Sequence, residues 1–229
     1  MSLCVFVGEG KSEGIFFRNL LQARLNFAAQ TAKQPMFYKS SCGRKHWLFA
    51  HPRLVGQYYS GGKKLLEKSE TYKNCMPKVL NHLPLLPRGC SVHYRILRDL
   101  DNCQDLAYQK KVREKILKVA DPHRVYNGSG ETIHIGFCNR EIESWFIASS
   151  EPGSPWFDQQ KSEEIRQIFN ENPDEIRNPK EKLNEVLIAE YQDNTTAIAS
   201  LFGQNFDVTL AKSRSPSFAD FYETFAGLI

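Results

Sequence analysis

Three groups of carboxylates each stand just beyond a short strand-like run: Glu9, then Asp99 and Asp101, then Glu141 and Glu143. Several carboxylates gathered at one place repel one another unless a cation offsets them. Mg2+, or Mn2+ in its stead, takes hard oxygen ligands and keeps waters that can serve as nucleophiles. Two such ions about 4 Å apart activate an attacking water and stabilise the leaving oxygen in phosphodiester hydrolysis. Asp99 and Asp101 share a side while the chain stays extended, so both could face one ion. On a helix, residues two apart point to different sides, so one of Glu141 and Glu143 is expected to face the site. Singly, each of these residues has a plainer role, as a helix cap or a first-turn anion. The plain reading weakens when all three groups end neighbouring strands.

The elements that must position them follow from periodicity. Leu3 to Val7 reads as a buried strand entering a tight turn at Gly8-Glu9-Gly10. Ser12 is placed to cap a helix through about Leu25, with Phe17, Leu20, Leu21, Arg24 and Ala28 on one stripe. Helix-like runs cover Lys63 to Glu70 and Met76 to Leu86. Alternation of Val92, Tyr94 and Ile96 predicts a strand that stops at Asp99-Leu100-Asp101, followed by a polar helix over about Gln104 to Val119. A second alternating strand (Ile133, Ile135, Phe137) runs into Asn139-Arg140-Glu141 and a helix carrying Trp145, which reads as a core anchor. Beyond Pro155 the chain is mostly helical. Strands alternating with helices predict a parallel α/β sheet, whose strand C-terminal edge is where sites are built.

Charge is unevenly spread. From Lys33 to Lys73 nine Lys/Arg face only Glu67 and Glu70, interleaved with Phe37, Tyr38, Trp47, Tyr58, Tyr59 and Tyr72. Cations for phosphates and rings for bases suit single-stranded nucleic acid, although a solvated face over an aromatic core has the same composition. Arg44, Lys45, Lys63 and Lys64 are the candidate phosphate contacts, and Arg214 is available to phosphate or a partner. Lys11 is placed to touch a scissile phosphate. From Glu151 to Asp193 eleven acidic residues outnumber five basic ones, a solvated helical surface or a docking face.

Other chemistries fail on spacing. Gly8-Glu9-Gly10-Lys11-Ser12 imitates a phosphate-binding loop, but the required earlier glycine is Val5. The histidines lack H-x-x-x-H spacing, and no G-x-S-x-G occurs. Six scattered cysteines without a C-x-x-C pair fit thiols in a reducing cytoplasm. No apolar run is long enough for a membrane span, and Met1 to Val7 has no signal-peptide layout. Ser217 with Asp220 reads as a capping box.

The core Glu9-Gly10-Lys11-Ser12-Glu13 resembles the E-G-x-[ST]-E first motif of small prokaryotic Toprim-like proteins of unassigned function. Asp99-Leu100-Asp101-Asn102-Cys103 is similar to their D-x-D motif, Glu141-Ile142-Glu143-Ser144-Trp145 to their E-x-E-x-W segment, and Ser215-Pro216-Ser217-Phe218 to their terminal S-x-S-F signature. The resemblance implies an α/β fold of the topoisomerase–primase (Toprim-like, Rossmann-like) kind. Its mostly parallel central sheet would be flanked by helices, with a helical C-terminal extension. It also implies that Glu9, Asp99 and Asp101 hold Mg2+. Residues 1–150 are then a metal-binding domain with a basic insertion at about 33–90, and 151–229 the extension packed on it. Related proteins include nucleases of the overcoming-lysogenisation-defect type, topoisomerases, and toxins paired with ATPases in phage defence. The expectation is a Mg2+-dependent nuclease cutting DNA or RNA, with Glu9, Asp99, Asp101 and Lys11 at the reacting phosphate and a partner ATPase controlling it. The alternative is a non-catalytic module that keeps the fold and binds nucleic acid or a partner. Primase or topoisomerase activity ranks third, because the chain is short for the extra domains.

Overall fold

A continuous apolar run too short for a helix is suited to a strand covered on both sides, and Ser2–Val7 forms such a strand, β1, between two parallel neighbours. The computed structural model describes the backbone of residues 2–7, 11–24, 38–39, 45–51, 54–59, 91–99, 107, 110, 114 and 132–226. Its side-chain detail lies mainly within 12–20 and 138–223. Among the described residues, six strands form one sheet in the order β2-β3-β4-β1-β5-β6. After β1 come β2 (Tyr38–Lys39), β3 (Lys45–His51), β4 (Leu54–Tyr59), β5 (Ser91–Asp99) and β6 (Thr132–Cys138). The pairs β4–β1, β1–β5 and β5–β6 are parallel, while β2–β3 and β3–β4 are antiparallel. The basic stretch therefore supplies half of these strands. The helix-like runs at 63–70 and 76–86 lie outside the described residues.

Helix α1 (Lys11–Arg24) follows β1 and begins one residue ahead of Ser12, which sits inside the first turn rather than capping it. The second half of the chain is helical: α2 (Ile142–Ala148), α3 (Ser162–Asn170), α4 (Pro179–Val186), α5 (Thr195–Asn205), α6 (Val208–Arg214) and α7 (Pro216–Ala226). The starts of the later helices are fixed by side chains that accept orphan backbone N–H groups. Asn194 accepts from Ala197 at 3.0 Å, Asp207 from Leu210 at 2.9 Å and Ser215 from Phe218 at 3.1 Å. Ser217 is thus not the cap of α7. Its hydroxyl donates to buried Asp174 instead, and Ser215 caps.

Rings fill the space between α1 and the later helices. Phe16 meets Phe146 and Phe206 at centroid distances of 4.9 and 5.0 Å, and Phe17 meets Phe221 at 5.4 Å. Phe146 stacks on Phe202 at 4.8 Å, and Trp145 packs edge-on to Phe218 at 5.2 Å. Each fully buried ring is worth about 2–3 kcal/mol, and each favourable ring pair adds about 1 kcal/mol. Two glycines allow the closest approaches. A Cβ at Gly203 on α5 would stand 2.6 Å from the Asn19 side chain and 2.7 Å from the Phe16 carbonyl of α1. One at Gly136 on β6 would stand 2.3 Å from the Phe221 ring of α7. The C-terminal helices are thereby packed directly on α1 and the sheet.

Candidate functional site

The sheet register decides which chain ends share an edge. Val7 of β1 lies opposite Tyr59 of β4 on one side and Ile96 of β5 on the other, and Ile96 lies opposite Ile135 of β6. The C-terminal ends of the four parallel strands therefore open on one edge. Strand β5 runs three residues past that row to Asp99, which is level with Cys138, the last residue of β6. Asp99 thus stands at this edge, on the strand between β1 and β6. Lys11 opens α1 at the same edge. Glu9 and Asp101 lie outside the described residues.

Antiparallel pairing brings basic residues to that edge as well. His46 of β3 is opposite Tyr59, so Lys45, the first residue of β3, falls just beyond the row of strand ends. Lys45 is in turn opposite Lys39 of β2. Two lysine positions thus occupy one end of the edge, and the acidic positions the other. Arg44, Lys63 and Lys64 lie outside the described residues. Arg214 is engaged within the fold: its guanidinium donates to the Ser150 carbonyl at 2.6 Å and lies 3.4 Å from the Glu151 carboxylate. It also stands 6.0 Å from the centre of the Phe169 ring. These contacts tie the end of α6 to the segment after α2.

Side-chain detail is clear at the β6–α2 turn. Glu141 is the N-cap of α2 in extended conformation, yet its side chain forms no capping hydrogen bond there. It reaches α4, where Oε2 accepts the Lys180 backbone N–H at 3.4 Å. Ser144 donates to the Glu141 carbonyl at 2.8 Å, tightening the turn. Glu143 sits in the first turn of α2 with its carboxyl enclosed, although the residue keeps some exposure. Its pKa is raised to about 7, chiefly because burial disfavours the charge. A hydrogen bond from its own backbone N–H opposes this, Glu141 raises it further, Lys180 lowers it, and Glu13 raises it. Of the two helix carboxylates, Glu143 is the enclosed one and Glu141 is turned to α4.

Glu13 is a member of this group that residue spacing alone passes over. It lies in the first turn of α1 and is only 6 % exposed, and its charge is felt at Glu143. An acidic residue in a first helical turn is so ordinary that its position gives no alert. The available signal is its place as the closing glutamate of Glu9-Gly10-Lys11-Ser12-Glu13. Buried Arg140, at 8 % exposure, precedes the pair of glutamates.

Among the described residues no set of three His, Cys, Asp or Glu side chains forms a metal cage. The donor set at the edge nevertheless fits a hard divalent cation. It consists of carboxylates, and one of them is held partly protonated by burial and by like-charged neighbours, a situation that a cation relieves. Glu141, Glu143 and the position of Asp99 are the described candidates for such an ion.

No protein-family model and no curated protein matches this chain. Among solved structures, a hypothetical protein from Pyrococcus horikoshii OT3 is similar at 15 % identity with a TM-score of 0.49, covering 100 % of this chain and 98 % of that one. A likeness at that level carries no argument about fold or activity. Among the described residues, no helix is long and apolar enough to cross a membrane.

Proposed function

We propose that this chain is a Toprim-type nuclease that hydrolyses phosphodiester bonds in DNA or RNA with Mg2+ or Mn2+. The observation that carries the reading is the shared strand edge, with Asp99, Glu141 and Glu143 at one end and Lys39 and Lys45 at the other. A bound divalent cation would supply Lewis acidity and an activated water there. The chain's own residues would do the rest. Asp99 would hold negative charge at the edge, and the motif resemblance adds Glu9 and Asp101 as further ligands. Glu143 contributes an enclosed carboxyl, and Glu13 reinforces the demand for a cation. The lysine positions draw the phosphate backbone across the strand ends, and Lys11 stands where α1 opens beside β1. The resemblance of the four motifs to Toprim-like proteins supports the same fold and metal chemistry. It also suggests an effector in phage defence restrained by a partner ATPase, in a cytoplasm where the scattered cysteines stay reduced.

The test is cleavage of single- and double-stranded DNA and RNA by the whole chain with Mg2+, Mn2+ or EDTA. Cleavage that needs the cation supports the nuclease. Binding of nucleic acid without cleavage under any ion would instead leave a non-catalytic binding module.

A further inference from the structure

Away from the strand edge, four buried polar residues from three separate segments are tied together. Asp174, in the turn Pro173–Glu175 between α3 and α4, is 4 % exposed. Its Oδ1 accepts the Ser215 hydroxyl at 2.7 Å and the Ser217 hydroxyl at 2.8 Å, and its Oδ2 accepts the Ser217 backbone N–H at 2.8 Å. Trp145 of α2, fully buried, donates its indole N–H to the Ser217 oxygen at 2.8 Å. Phe218 donates its backbone N–H to the Ser215 oxygen at 3.1 Å.

The shortest contacts give the bonds their directions. A serine hydroxyl carries one hydrogen, and both serines give theirs to Asp174. Their oxygens are then left as acceptors, one for the indole N–H and one for the α7 backbone. Two arms thus converge on one carboxylate, from Trp145 through Ser217 and from Phe218 through Ser215. The two serine oxygens also lie 3.3 Å apart, so one hydroxyl can turn to the other without leaving a donor unmet, and the set stays satisfied as a unit. Removing a member would leave a buried polar group unmet, which is costly. An ordinary apolar contact would allow α2 to slide or rotate by a fraction of a turn, but this set does not. The indole sits two residues from Glu143 and four from Glu141 on the same short helix.

We propose that the Trp145–Ser217–Asp174–Ser215 network is a positioning clasp, by which the start of the last helix fixes where α2 stands and hence where Glu141 and Glu143 meet the strand edge. Asp174, Ser215 and Ser217 are offered as positioning residues. They act through Trp145. The clasp accounts physically for the S-x-S-F segment, in which one serine caps α7, the next holds α2, and the phenylalanine packs on the same indole. Its effect on metal binding rests on the proposed function, whereas its effect on α2 does not.

The experiment uses the full chain with Ser217→Ala, and with Trp145→Phe as the milder variant that removes only the indole N–H and part of the ring. Amide hydrogen exchange is measured well below melting, together with Mn2+ binding. In Ser217→Ala, exchange in residues 142–148 should rise about tenfold or more while α5 stays as in wild type, and Mn2+ affinity should fall about tenfold, as for other outer-shell supports of metal ligands. Trp145→Phe should show the same pattern at smaller amplitude, and it decides the matter if Ser217→Ala fails to fold. Exchange that rises equally in every helix, or only in residues 215–218, overturns the clasp. If the wild type binds no Mn2+, the metal reading falls, and the exchange pattern still judges the clasp by itself.

Discussion

Glu141 Oε2 stands 3.4 Å from the backbone nitrogen of Lys180, so a carboxylate at the end of the last strand caps a helix 39 residues further on. Asn178, the residue that should cap α4, is in left-handed conformation at φ 50° and offers no side-chain bond, which leaves the position to Glu141. A contact of 3.4 Å is at the long end for a hydrogen bond, so the carboxylate can turn toward a cation at small cost. The two roles, helix cap and metal ligand, predict opposite effects of metal on one side chain.

Glu141→Ala should lower the stability of the metal-free protein by about 1 kcal/mol, the usual worth of a helix cap, measured by urea unfolding. With Mg2+ added, the difference from wild type should widen, because only the wild type gains the ligand. A gap that closes on adding Mg2+ would show that Glu141 serves the helix alone.

Glu143 makes stability depend on pH. Its pKa rises from 4.5 to about 7 on folding, so the folded state holds the proton more tightly than the unfolded chain. Its contribution is therefore most favourable below pH 4.5, declines as pH climbs toward 7, and is lost above that, for a total of up to about 3 kcal/mol. Glu143→Gln should flatten this part of the profile and stabilise the metal-free protein at pH 8. Urea melts of both proteins between pH 4 and 8 give the comparison. Parallel profiles would mean that the carboxyl is not enclosed.

Asp99→Asn keeps size and one acceptor oxygen but loses the charge that holds a cation. Cleavage should disappear, the thermal midpoint should hold or rise, and nucleic-acid binding should largely remain. Cleavage at the wild-type rate, or wild-type cleavage that persists in EDTA, would sink the metal mechanism. A melt of each protein must accompany the assay, because loss of folding would also abolish activity.

Lys63→Glu with Lys64→Glu should weaken nucleic-acid binding and shallow the slope of log K against log salt by about 1–2, near 0.7–0.9 for each lost phosphate contact. Affinity that keeps its salt slope would mean that these lysines belong to a solvated surface. Lys45→Glu tests the strand edge separately, since the register puts that residue beside the row of strand ends.

What the sequence discloses depends on whether the signal is local. The alternation of Val92, Tyr94 and Ile96 predicts a strand, and the strand is Ser91–Asp99, with the acidic residue at its end. Ile133 to Phe137 behaves alike within Thr132–Cys138. The hairpin of β3 and β4 is hidden, because Trp47-Leu48-Phe49-Ala50 is apolar at every position and no glycine marks the connection at Pro52-Arg53. In Ser215-Pro216-Ser217 either serine suits a cap. The choice is made by Asp174, 43 residues before Ser217, which no local rule can see. Arg214 stands in the sequence as a cation open to any anion, while its acceptor is a backbone carbonyl 64 residues away.

The Asn19 amide donates to the Ser200 hydroxyl at 3.1 Å across 181 residues, and Phe17 rests on Phe221. During synthesis, Phe17 leaves the ribosome some two hundred residues ahead of Phe221, its ring partner on α7. At ordinary elongation rates that interval is roughly 10–40 s. Throughout it, this face of α1 lacks its α7 partner, and contacts so distant in sequence close slowly. A nascent chain of this kind is a client for holding chaperones until its last helix is released. A polypeptide stopped before residue 216 would remain in that sticky state.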